Sequence, residues 1–118
     1  MALLTTHVLD LTRGGPAAGV RLELFRVDGA RRELLRAAIT NAAGRTAEPL
    51  LEADSLPRGE FELLFHAGDY FRAQGVHLAD PPFLDRVAIR FGLDPAGAAS
   101  YHVPLLLAPH GYSTYRGS

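Results

Sequence analysis

At 118 residues with a formal net charge of −1, the chain has room for one hydrophobic core and no electrostatic reason to bind nucleic acid or an anionic membrane. All 12 basic residues are arginine and there is no cysteine, which excludes disulfides, thiol catalysis and thiolate metal sites. No apolar run approaches the ~20 residues of a membrane-spanning helix, and Met1-Ala2-Leu3-Leu4-Thr5 lacks the basic-then-apolar order of a signal peptide. The expectation is a single cytoplasmic domain over residues 1–118.

From the N-terminus, Leu3 to Leu11 alternates as a strand, with Thr6, Val8 and Asp10 on one face and Leu3, Thr5, His7, Leu9 and Leu11 on the other. Arg13-Gly14-Gly15-Pro16 reads as a turn. Val20 to Val27 is apolar on both faces, as a central strand would be, and Asp28-Gly29 turns it back into a third strand over Arg32 to Thr40. Asn41 to Gly44 forms the next turn, and Thr46 to Leu51 predicts a short edge strand limited by Pro49. Glu60 to Ala67 is a further strand. Asp69 to Ala73 predicts one short helix, with Asp69 as its cap and Gly75 at its end. Asp85 to Phe91 alternates with Val87, Ile89 and Phe91 inward. Two runs around Ala108-Pro109-His110-Gly111 form a closing hairpin, in which Tyr101, Val103, Leu105 and Leu107 oppose His102, Pro104 and Leu106. The pattern therefore predicts eight strands and one helix, the signature of an all-β sandwich.

Few side chains stand where a fold would hold them for chemistry. His7 and His102 both lie on predicted strands. A single strand histidine is more often packed or at an edge than catalytic, but two on one face of one sheet would form a proton-transfer pair near neutral pH. Arg45 follows Gly44 in a turn and can offer a rigid donor fork to an acyl oxygen, although a loop arginine is commonly just solvated. No His-Glu-x-x-His or other paired histidine spacing points to a metal, and Ser118 has no nucleophile-elbow context. Asp10 faces away from His7, which argues against a Ser-His-Asp triad. His66, His77 and His110 read as surface residues.

Three motifs in order carry a resemblance: Leu4-Thr5-Thr6-His7-Val8-Leu9-Asp10, Thr40-Asn41-Ala42-Ala43-Gly44-Arg45-Thr46, and Tyr101-His102-Val103-Pro104-Leu105-Leu106 with the terminal Tyr115-Arg116-Gly117-Ser118. Together they are similar to the 5-hydroxyisourate hydrolases, the transthyretin-like enzymes of urate breakdown, over nearly the whole chain. The terminal Tyr-Arg-Gly-Ser separates these hydrolases from transthyretin itself. The resemblance implies a transthyretin-like sandwich of two four-stranded sheets with one short helix. It also implies a homotetramer, a dimer of dimers with its sites at the dimer–dimer interface.

By the same resemblance, His7, Arg45, His102 and Ser118 match the catalytic set, and Tyr115, Arg116 and Gly117 join His7, Arg45 and Ser118 in substrate binding. The implied reaction is hydrolysis of 5-hydroxyisourate to 2-oxo-4-hydroxy-4-carboxy-5-ureidoimidazoline, with no metal or organic cofactor. His7 is expected as the base for water, His102 to orient it or protonate the departing nitrogen, and Arg45 to stabilise the oxyanion and keep a histidine neutral. Two positions depart from the family: Ala43 where Asp is usual, and Ser100 where His is frequent. The competing readings are a non-catalytic carrier, as transthyretin is for a hydrophobic hormone, and a structural interaction module.

Overall fold

The computed structural model describes residues 1–95 and 99–117. Among these residues nine strands and one helix follow in the order β1 (Ala2–Asp10), β2 (Gly15–Pro16), β3 (Arg21–Asp28), β4 (Arg31–Ile39), β5 (Leu51–Ala53), β6 (Gly59–His66), α1 (Ala67–Ala73), β7 (Arg86–Leu93), β8 (Tyr101–Ala108) and β9 (Gly111–Thr114). One sheet has the order β2-β1-β8-β9, with β5 also paired to β1; the other has the order β4-β3-β6-β7. The first sheet thus has five strands rather than the expected four. The extra one is the two-residue β2, inside what the sequence reads as a turn, where Gly15 and Pro16 pair with Asp10 and Leu9.

Alternation along the strands builds the core. In β1 every even residue from Ala2 to Asp10 is buried and every odd one is half-exposed. In β8, Tyr101, Val103, Leu105 and Leu107 turn inward, and Leu22, Leu24, Phe61, Leu63 and Phe65 join the same core from the second sheet. Burying such a side chain removes about 1.5–3 kcal/mol of apolar exposure, so the register of each strand is strongly specified.

Two boundaries differ from the sequence reading. The short edge strand lies at Leu51–Ala53, not at 46–51, because Leu50 is buried and its N–H donates to the Leu4 carbonyl, drawing the following residues alongside β1. The helix begins at Ala67, before Asp69. Ala67 and Gly68 are buried, and the Gly68 N–H donates to the Asp85 carbonyl, a tertiary contact that no capping pattern encodes. Asp69 is therefore not the cap but an acid in the first turn, where it still favours the helix dipole.

Asp10, buried beneath the end of β1, accepts hydrogen bonds from the Tyr70 hydroxyl (2.7 Å) and from the Thr12 and Arg13 backbones. Burial alone would raise its pKa, but the hydrogen bonds from Thr12, Tyr70 and Arg13 outweigh it and hold the carboxyl below the ordinary range. The network fastens the helix to β1, on the side away from His7. Among the described residues, no helix is long and apolar enough to cross a membrane.

Candidate active site

The parallel pairing of β1 with β8 brings distant histidines together. Thr5 lies opposite His102 and His7 opposite Pro104, so both imidazoles project from the same outer face of one sheet. Sequence alternation assigns each face, but only the pairing makes the two faces one.

Arg45 reaches this face from the turn after β4. The Asn41 carboxamide oxygen accepts the Ala43 and Arg45 N–H groups (3.0 and 3.2 Å), closing the turn locally. Gly44 fastens it to β1: its carbonyl accepts the Val8 N–H at 2.8 Å, its φ is +75°, and a Cβ there would run into the Val8 carbonyl oxygen. Only glycine fits that position. The turn also meets His7, whose Nε2 donates to the Ala43 carbonyl at 2.9 Å, so the neutral ring carries its proton on Nε2. The contact uses the main chain of residue 43, and alanine there leaves it intact.

Leu3, Thr5, Arg45, Ser100, Tyr101 and His102 line a cleft of about 340 Å³. That volume suits a small molecule. The lining holds a guanidinium, an imidazole and hydroxyls but no carboxylate, a donor-rich surface for a carbonyl or an anion. The pKa of His102 lies below its ordinary value, first through burial and then through the positive charge of Arg45 and the neighbouring His7, partly offset by a hydrogen bond to the Thr5 backbone. His102 is therefore neutral at neutral pH and able to accept a proton. Among the described residues, no three His, Asp or Glu side chains are grouped to hold a metal.

The terminal motif divides. Gly117 lies against His102: its N–H donates to the His102 carbonyl at 2.7 Å, and a Cβ on it would sit 2.7 Å from the imidazole Cδ2. Arg116 instead stacks its guanidinium 3.9 Å over the Tyr101 ring. It and Tyr115 line a separate, mostly apolar groove with Ile89, Phe91 and Val103, outside the His102 cleft. Ser118 lies outside the described residues.

Thr5 and Ser100 belong to the cleft although the sequence reading gave them no role as site residues. Thr5 had a legible signal, since it shares the His7 face two residues earlier. Ser100, at a departure from the family pattern, accepts the Leu3 N–H at 2.9 Å. His66 is not a free surface histidine either: it is largely buried and pairs with Glu23 at 2.7 Å.

Two β-sheets in this strand order with one short helix define a transthyretin-like sandwich. The profile of the HIUase/Transthyretin family matches residues 4–117, and the chain belongs to that family. It is 55% identical to the 5-hydroxyisourate hydrolase 2 of Rhizobium meliloti, over 98% of this chain and 95% of the relative. The crystal structure of (S)-allantoin synthase superposes with a TM-score of 0.90 at 39% identity, covering 99% of this chain; the chain spans only 44% of that longer protein. Sea bream transthyretin, solved in complex with thyroxine, superposes with a TM-score of 0.86 at 26% identity, over 98% of this chain and 95% of that one.

Proposed function

We propose that this chain hydrolyses 5-hydroxyisourate to 2-oxo-4-hydroxy-4-carboxy-5-ureidoimidazoline, as a cyclic amidohydrolase of urate degradation in the cytoplasm. The observation that carries the reading is the convergence of Arg45 on His102, which favours the neutral imidazole a general base requires. The hydrolase name of its relative at 55% identity supplies the substrate.

In this mechanism water adds to an amide-type carbonyl of the six-membered ring. His102 takes the proton of that water, the carbonyl electrons move onto oxygen, and Arg45 stabilises the oxyanion. Collapse of the tetrahedral centre breaks the ring C–N bond, and the departing nitrogen receives the proton. The base is thus assigned to His102 rather than to His7, the expectation from sequence. His7, with its Nε2 proton committed to Ala43, acts as an orienting group. Gly117 shapes the His102 edge of the site, and Ser118 is assigned to substrate on the family resemblance alone. Tyr115 and Arg116 bind substrate only where a neighbouring subunit brings them to a site.

That last point needs the homotetramer, a dimer of dimers with sites at the dimer–dimer interface. Its support is apolar surface that a partner would cover: half-exposed Leu9 and Leu106 on the outer face, and exposed Tyr115 in the neighbouring groove. Sedimentation is expected to give a tetramer; a monomer with full activity would break the shared-site geometry.

The carrier reading is less well supported, because Arg45, His102 and the hydroxyls of Thr5 and Ser100 stand in the cleft beside Leu3 and Tyr101, a more polar lining than a hydrophobic hormone favours. The decisive experiment generates 5-hydroxyisourate with urate oxidase and follows its decay spectroscopically with and without the protein. Accelerated decay is expected, and an unchanged decay rate would overturn the proposal.

A further inference from the structure

His102 is held more closely than a base needs for placement alone. Its Nδ1 lies 2.8 Å from the Thr5 hydroxyl, and its Cδ2 edge abuts Gly117. No partner meets Nε2 among the described residues. Thr5 and His102 are directly paired residues of parallel β1 and β8, so the sheet ladder itself fixes the hydroxyl against the ring. Which nitrogen of a neutral imidazole carries the proton is set by the hydrogen bond the other makes.

We propose that Thr5 is a positioning residue for His102: its hydroxyl accepts from Nδ1–H and thereby keeps the free electron pair on Nε2, the nitrogen that takes the proton from water. The two histidines then divide the work by tautomer. His7 is protonated on Nε2 through Ala43, and His102 on Nδ1 through Thr5. Without the Thr5 hydroxyl, His102 would populate both tautomers, and one of them has no lone pair at Nε2 to offer. Among the described residues the Thr5 hydroxyl has no other hydrogen-bond partner.

The catalytic part of this inference rests on the proposed hydrolase activity, whereas the tautomer part does not. Two variants test both: Thr5→Val, which keeps the shape and removes the hydroxyl, and Thr5→Ser, which keeps the hydroxyl. In protein carrying ¹⁵N-labelled histidine above pH 7, the wild type and Thr5→Ser should show His102 protonated at Nδ1 and bare at Nε2, and Thr5→Val should show a tautomer mixture. With 5-hydroxyisourate, Thr5→Val should lose about tenfold in kcat/KM, the worth of one net hydrogen bond, and Thr5→Ser should recover most of it. An Nε2-protonated His102 in the wild type, or a Thr5→Val protein with unchanged tautomer and rate, would overturn the proposal. If no form of the protein opens 5-hydroxyisourate, the activity reading fails, and the ¹⁵N spectra still decide the role of Thr5.

Discussion

The outer faces of the two sheets carry similar residues and use them in opposite ways. On the β4-β3-β6-β7 sheet the charges are matched. Glu62, almost fully buried, receives Arg32 at 2.6 Å and Arg90 at 2.9 Å, while His66 meets Glu23 at 2.7 Å. Burial pushes the Glu62 pKa up, but the hydrogen bonds and charges of Arg90 and Arg32 outweigh it and hold the carboxyl below its ordinary value. On the β1-β8 face, Arg45 has no carboxylate partner among the described residues, and its charge acts on His102 instead. Paired charges fasten strands together. A charge left without a counter-ion keeps its field for a ligand and for the pKa of its neighbours.

If that contrast is right, His102→Asn should do the most damage, lowering kcat/KM by about 10²–10⁴-fold in the 5-hydroxyisourate assay, with the circular dichroism of the fold unchanged. Arg45→Gln should cost about 10²–10³-fold. Arg45→Gln should also move the pH profile in a set direction. The lowered pKa of His102 keeps it neutral below the ordinary histidine value of about 6.5, so the acid limb of kcat/KM lies under that pH. Removing Arg45 takes away one of the lowering influences, and the limb should shift toward higher pH. A shift toward lower pH would contradict the electrostatic link.

Effects on the other face should appear in stability rather than rate. Glu62→Gln removes the shared negative charge and turns one of the two acceptor oxygens into an NH₂ donor facing an arginine, and should cost about 1–3 kcal/mol in urea unfolding. The half-exposed arginines can turn to water, which keeps the cost below that of a fully buried pair. Its rate on 5-hydroxyisourate should stay within about twofold of the wild type, and a large loss of activity would dissolve the contrast between the faces. His66→Gln should be the mildest, under about 1 kcal/mol with activity unaltered.

How much of this was legible beforehand depends on whether the cause is local. The inward residues of β1, β7 and β8 follow from period-two alternation, which an extended backbone enforces wherever the strand pairs. The Asn41-to-Arg45 turn is equally local, as its hydrogen bonds close within five residues. The helix start was missed because the Asp85 carbonyl, on a later segment, decides it. The two-residue β2 was missed because Gly15 and Pro16 have turn propensity and acquire strand character only against Asp10 and Leu9. In the site, His7, Arg45 and His102 were legible by their motifs and Thr5 by the face it shares with His7, whereas the contact of Thr5 with His102 became visible only when β1 lay beside β8. Arg116, expected beside the substrate, stacks within one chain on Tyr101 and lines the groove with Ile89 and Phe91, a contact that no local pattern encodes.

By itself, then, the sequence determined which side of each strand is apolar, where the turns bend, and which residues are chemically able to move a proton or meet an oxyanion. These are properties of neighbours along the chain, set by backbone geometry and side-chain chemistry. The tertiary structure decided that β1 pairs in parallel with β8, that Gly44 seats the arginine turn against Val8, and that Thr5 meets His102. Those contacts join segments far apart along the polypeptide. Their registers are fixed by the collective burial of the core, which no local stretch of sequence contains.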